Sequence, residues 1–241
     1  MFRLKYIPII LFLLAIPTFL VTSNIRWATN EMNLYEFGFD RYDIPYRTGI
    51  EKPELMKAAR QIRAYFNNSE ELLDVKVMVQ GQDLNLYNVR EILHMKDVKG
   101  LVRGVYRAQE VTGLYILAFV VVGLAFWRKA FLPQLGRYAL GGSALTVSLV
   151  VLVGLASVVG FDRLFLTFHL ISFSNDLWQL DPYRDFLLIM FPEGFFFWAT
   201  ALIAMAAVLE ALLIGGVAAA LVRRKARERR GREEALEVSR V

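Results

Sequence analysis

The chain has no cysteine. Disulfides, thiolate nucleophiles and thiolate metal sites are thereby excluded, and the absence is compatible with an oxidising exterior. Histidine is almost as scarce: His94 and His169 are the only two in 241 residues. No His-x-x-x-His or His-Glu-x-x-His signature is present, so the familiar helical zinc patterns are missing. A Gly-x-Ser-x-Gly elbow is missing as well, and with it the usual mark of a serine hydrolase. Proton chemistry near neutrality therefore rests on two imidazoles, the side chain whose ordinary pKa lets it both take and give a proton there.

What is abundant is apolar residues, 56% of the chain, far from the make-up of an ordinary soluble domain. Four stretches approach the roughly 20 helical residues that cross a hydrocarbon core: Tyr6–Val21, Val111–Trp127, Tyr138–Gly160 and Phe197–Val222. Tyr6, Trp127, Tyr138 and Trp198 stand at their margins, as headgroup-level anchors do. The first stretch follows Arg3 and Lys5, and a cleaved signal peptide is the competing reading. Its exit, Leu20-Val-Thr-Ser-Asn24, lacks a clean small-x-small cleavage site, which favours a retained anchor.

Lys and Arg in the short loops set the orientation. The loop 128–137 holds Arg128, Lys129 and Arg137 without an acidic residue, and the tail 223–241 opens Arg223-Arg-Lys-Ala-Arg. Both are expected in the cytoplasm. The segment 161–196 is net acidic and is expected outside, as is the charge-balanced segment 23–110. Four spans with both termini inside satisfy every loop. The formal net charge of +5 thus reflects stop-transfer anchoring and contact with anionic lipid, and no nucleic-acid partner is expected.

The outer segment 23–110 reads as a mostly helical domain. Glu51–Phe66 has helical spacing with Pro53 near its start, and Leu55, Met56, Ala59, Ile62 and Phe66 form its apolar stripe. Leu73–Val79 alternates like a short strand. A second helix starts at Asn88 as N-cap; Glu91, His94 and Asp97 follow at three-residue steps, hence near one face. Gly100 and Gly104 are expected to loosen it. The segment 161–196 is too apolar for a plain loop and is expected to lie in the interface, broken at Asp181-Pro182.

Each candidate has a plainer account. His94 alone is an interfacial histidine paired with Asp97 or Glu91; His169, among Phe168, Leu170 and Phe173, needs a partner if buried. Two His with Glu91, Asp97, Asp176 or Asp181 would suit a metal-dependent membrane hydrolase, and Ser172 or Ser174 near His169 a chance triad. Glu210, mid-span, is a functional candidate by position; its plainer account is a packing residue meeting Ser143, Thr146, Ser148 or Tyr115. A non-catalytic membrane scaffold or accessory protein is the remaining alternative.

At Glu91-x-x-His94-Met-x-Asp97-Val98, Phe168-His169-Leu-Ile-Ser-Phe-Ser-Asn175-Asp-Leu-Trp178, Asp181-Pro182 and Phe191-Pro192-Glu193, the chain resembles a bacterial family of four-span integral membrane proteins. That family includes the lipoprotein intramolecular transacylase. The resemblance covers nearly the whole chain. It implies an all-α membrane acyltransferase in the bacterial plasma membrane, its site on the extracytoplasmic side. The substrate it implies is a diacylglyceryl-cysteine lipoprotein, whose sn-2 acyl chain moves to its own N-terminal α-amine to give the lyso form. His94 and His169 match the family's essential pair; Glu91, Asp97, Asn175, Trp178 and Asp181 are expected to bind or orient. Neither cofactor nor metal is required, since ester to amide is downhill and donor and acceptor share one molecule. Asp97 is expected to orient His94, and Asn175 to polarise the carbonyl.

Overall fold

The computed structural model describes residues 6–79 and 81–238; Arg3, Lys5 and the last three residues of the tail lie outside that range. The elements in chain order are α1 (Ile7–Asn30), α2 (Met32–Arg41), α3 (Ile44–Thr48), α4 (Lys52–Asn67), β1 (Lys76–Val79), β2 (Gln82–Asn85) and α5 (Val89–Trp127), followed by α6 (Leu132–Ser172), α7 (Phe186–Met190) and α8 (Glu193–Val238). A single turn of 3₁₀ helix, Arg128–Ala130, joins α5 to α6. Four helices among the described residues are long and apolar enough to cross a membrane. The chain is an all-α, multi-pass membrane protein. Among the described residues one hairpin forms, β1 with β2 in antiparallel register from Lys76 opposite Asn85 to Val79 opposite Gln82; β1 covers the last four residues of the strand expected at Leu73–Val79.

The contacts divide the chain into two compact units. One comprises Met1–Ser23, Ala108–Leu152 and Ala204–Val241. Phe12, Ile16, Leu20 and Ala211 are its buried centre, with Phe19, Phe119 and Tyr138 packed around them; the rings of Phe12 and Phe119 stack at 4.4 Å. Helices approach closely because small residues allow it: a Cβ on Gly142 would stand 2.4 Å from Ile16 Cδ1. Leu117, Val151 and Leu213 are exposed, as lipid-facing side chains are. Glu210 is half-buried beside fully buried Ala207 and Ala211. Two of its expected partners bond elsewhere, Thr146 to the Gly142 carbonyl and Tyr115 to that of Pro8.

The second unit comprises Asn24–Arg107 and Val153–Ile203. Its core is the buried face of α4 (Leu55, Ala58, Ala59, Ile62, Tyr65 and Phe66) together with Phe39, Ile44, Val77, Tyr87, Met190 and Phe195. Burying each large aliphatic or aromatic side chain contributes about 1.5–3 kcal/mol. Gly38 of α2 is required by the Phe195 ring, which a Cβ there would meet at 2.4 Å.

Helices α1 and α8 run beyond the expected spans, to Asn30 and Val238, and two more depart from the sequence expectation. α5 runs unbroken through Gly100 and Gly104; the two glycines do not loosen it, since a helix held by packing tolerates the roughly 1 kcal/mol that each costs. α6 continues past the third span, with one non-helical residue at Gly160 (φ −173°, ψ 79°). The expected interfacial helix is therefore the last part of α6 beyond that kink, and it ends at Ser172.

Candidate functional site

His94 stands in the second turn of α5. The helix begins with a reciprocal cap: Asn88 Oδ1 accepts from the Glu91 backbone N–H at 3.1 Å, and Glu91 Oε2 from the Asn88 backbone N–H at 2.8 Å. Such a pair satisfies two N–H groups that a helix start otherwise leaves open. The face that follows is buried, Glu91 at 1% exposure and His94 at 7%. His169 stands one turn from the end of α6, in a segment rich in rings. Residues 75 positions apart thus meet inside one unit: the two imidazole centroids are 6.4 Å apart, their planes 29° from parallel. That spacing is too wide for the ring nitrogens to bond each other.

The walls are aromatic. His169 packs against Phe165 at 4.5 Å, Trp178 at 5.1 Å, Phe168 at 5.3 Å and Phe173 at 5.7 Å between centroids. His94 meets Phe173 edge-on at 5.1 Å, so Phe173 touches both imidazoles. His169 Nδ1 lies 2.7 Å from the Phe165 carbonyl oxygen. A carbonyl only accepts, so Nδ1 carries the hydrogen, and in the neutral ring Nε2 holds the free lone pair.

His94 has the opposite situation. Its Nδ1 is buried and has no hydrogen-bond partner among the described residues. Burial pushes its pKa down to about 4, His169 adds to the shift, and Asp97 opposes it. The ring is therefore neutral at neutral pH. A buried polar atom without a partner is uncommon in a native fold and costs about 1–3 kcal/mol.

The remaining candidates are placed as follows. Asp97 is half-buried, and its Oδ2 accepts from Asn175 Nδ2 at 2.9 Å. The Asn175 amide is thus committed to Asp97, and its Oδ1 to the Leu177 N–H at 3.0 Å, rather than to a substrate carbonyl. Trp178 forms part of the wall at His169. Glu91 reaches away, its Oε1 accepting from the Leu187 N–H at 2.7 Å; burial raises its pKa, opposed by the N–H groups of Leu187 and Asn88. Asp181 is exposed and closes its own turn by accepting from the Tyr183 N–H. His94, His169, Asp97, Asn175 and Trp178 are brought together; Glu91 and Asp181 serve the scaffold behind them.

Sequence reasoning did not single out Phe165, nor the tie from Arg90 to the Asp176 carbonyl, nor buried Asp185, which accepts from Asn88 Nδ2 at 2.9 Å. Phe165 had a legible signal, since it lies four residues before His169 on a helix. Among the described residues no three His, Asp or Glu side chains are grouped to hold a metal ion.

Comparison with known proteins gives a consistent neighbourhood. A family model described as Lipoprotein intramolecular transacylase Lit matches residues 10–196. No protein of curated function matches the sequence significantly. Among solved structures, the membrane-integral lipoprotein intramolecular transacylase Lit of Bacillus cereus superposes with a TM-score of 0.78 at 21% identity, covering 93% of this chain and 99% of that one. Two structures of the same protein with one histidine replaced, by arginine or by alanine, give TM-scores of 0.73 and 0.72, also at 21% identity. The first covers 94% of this chain and 95% of its own, the second 92% and 96%. At that identity the likeness is one of fold.

Proposed function

Because the chain belongs to the lipoprotein intramolecular transacylase Lit family, and is an enzyme of that kind acting on lipoproteins, we propose that it moves the sn-2 acyl chain of a diacylglyceryl-cysteine lipoprotein onto that protein's own α-amine. The observation carrying this reading is the pair of imidazoles, 6.4 Å apart within an aromatic wall. One of them has a buried nitrogen still unpartnered.

The α-amine, with an ordinary pKa of about 7.7–8.0, attacks as the free base. Its nitrogen bonds to the ester carbonyl carbon, and the bond from that carbon to the glycerol oxygen breaks. One imidazole accepts the proton released at nitrogen and returns it to the glycerol oxygen as the carbon–oxygen bond breaks, while the other hydrogen-bonds the reacting group. Nothing is added or lost and ester to amide is downhill, so the step demands no nucleotide or metal. His94 and His169 are the catalytic residues. A substrate N–H or O–H reaching His94 Nδ1 satisfies an atom the protein leaves open. Asp97 and Asn175 hold the two histidine-bearing segments together, and Trp178 supplies an apolar wall for the acyl-bearing carbon. General acid–base steps of this kind contribute typically 10²–10⁴-fold; holding amine and ester of one molecule in reach supplies much of the rest.

The same reading places spans at 6–21, 111–127, 138–160 and 197–222, both termini in the cytoplasm, and the histidines on the extracytoplasmic side. Its basis is the Lys and Arg content of 128–137 and of the tail. A tag inserted at Gly81, in the hairpin turn, is then labelled only from outside the cell; labelling solely from the cytoplasm overturns the topology.

Tandem mass spectrometry decides the reaction, with a reporter lipoprotein co-expressed in cells otherwise unable to N-acylate. The parent mass does not change on transfer within one molecule, so fragments must locate the acyl group. Acyl on nitrogen, reversed by His169→Ala, supports the reading. A free amine beside an intact diacylglyceryl group refutes it for that reporter.

A further inference from the structure

Glu91 is a fully buried carboxylate (1% exposed) three residues from His94, yet it points away from the imidazole pair. Its two oxygens receive backbone N–H groups from two separate helix starts, Asn88 at α5 and Leu187 at α7. The exchange runs both ways. Asp185, the N-cap of α7 and 3% exposed, takes the Asn88 side-chain amide on Oδ1 and the Asp181 N–H on Oδ2 at 2.7 Å. Next to this knot the Tyr87 hydroxyl donates to Met190 Sδ at 3.4 Å. Two helix N-termini, each with partial positive charge, thus share two buried carboxylates across the joint.

The position of the joint gives it a task. Residues 87–91 lead directly into His94, and residues 181–190 continue the segment that begins at His169. From the structure we infer that Glu91 is a positioning residue: by capping α5 and α7 together it fixes the His94 turn against the chain that carries His169. This rests on the transacylase reading for its catalytic consequence but not for its geometry. Glu91 touches neither imidazole nor substrate and acts through the register of α5. The neutral side chains that replace it most closely cannot do the same work. Gln presents one oxygen and an NH₂ group that opposes one of the two N–H donors, and Ala leaves both donors unpaired.

The test uses the full chain in detergent or nanodiscs, with Glu91→Gln and Glu91→Ala beside wild type, each first shown to be folded by thermal melting. Two readouts are taken. The first is kcat and KM for N-acylation of a diacylated lipopeptide. Mispositioning lowers kcat per folded molecule by about 10- to 100-fold for Ala, less for Gln, with KM little changed. The second does not need activity: carbethoxylation of the only two histidines as a function of pH, read peptide by peptide. The charged and titratable neighbours of His94 are His169 and Asp97, and both stay in place. In the variants the His94 midpoint moves from about 4 toward the ordinary value as its turn relaxes into water. A purely structural Glu91 lowers the melting temperature and leaves the His94 midpoint and kcat of the folded protein unchanged, which overturns the inference. If Ala does not fold, Gln alone decides by the same two readouts. If wild type lacks activity while the Gln variant shifts the midpoint, the positioning role stands and the transacylase reading falls.

Discussion

The turn bearing His94 is fastened by directed polar bonds: Glu91 and Asn88 cap each other, Asp185 and Leu187 complete the knot, and Asp97 reaches Asn175. His169 is instead held by rings, with Phe165, Phe168, Phe173 and Trp178 around it and one bond from Nδ1 to a carbonyl of its own helix. The two constructions give two different imidazole environments. At His169 a hydrogen bond selects the tautomer and aims Nε2, while aromatic packing, which has geometry but little direction, excludes water. At His94 burial keeps the ring neutral, and its Nδ1 has no partner among the described residues. On the transacylase reading, a substrate group at the pair meets one imidazole that is oriented and one that is unsatisfied.

The largest test removes either member. His94→Ala and His169→Ala are each expected to reduce N-acylation by about 10²–10⁴-fold without loss of membrane-inserted protein, measured by lipopeptide fragmentation per folded molecule. If either variant keeps full activity, the pair does not act as a pair. His169→Phe sharpens the contrast, because it preserves the ring packing and removes only the nitrogens; activity must still be lost.

The second test reads the burial of His94 by acid. His94 has a folded pKa of about 4 against an ordinary value of 6.5. Between those values the unfolded chain binds a proton that the folded chain refuses, so stability must fall as pH is lowered through that window. The full effect is about 3 kcal/mol. Melting of wild type between pH 7 and 4 is expected to show a loss that His94→Gln, which cannot titrate, lacks. Equal pH dependence in both would mean that His94 is solvated and ordinary, and the contrast with His169 would dissolve.

Much of this was legible in the sequence because its signals are local. The four apolar stretches, the amphipathic stripe Leu55–Phe66 and the N-cap at Asn88 need only periodicity and a capping residue: each stretch lies along a long apolar helix, all of the stripe but Met56 is buried, and Asn88 caps α5. The pairing of His94 with His169 was reachable only through their scarcity and a family resemblance, since no spacing rule links residues 75 apart. The roles of the carboxylates were not legible. Glu91, His94 and Asp97 share three-residue steps, which bring them near one face but leave open which neighbour each will meet. Glu91 turned to α7 because the Leu187 N–H at a helix start needs an acceptor. Asp97 met Asn175 because the segment after α6 folds back onto α5. Both facts depend on tertiary placement.

Asn175 supplies the smallest and most discriminating test. If its amide serves only to tie the His169 segment to Asp97, through one bond between groups near the surface, then Asn175→Ala costs what such a bond contributes, about 0.5–1.5 kcal/mol. Activity then falls a few-fold. Asp97→Ala should cost about the same, and the double variant little more than either, because the two share one interaction. If Asn175 instead leaves Asp97 to polarise the developing oxyanion during turnover, its loss falls in the range of about 10²–10³-fold seen for donors of that kind, and Asp97→Ala does not reproduce it. A double-mutant cycle on kcat separates the two. Strong coupling with small single effects keeps Asn175 on the fastening side of the site. Weak coupling with a large Asn175 effect moves it into the chemistry, and the polar half of the comparison would then contribute a catalytic donor as well as a frame.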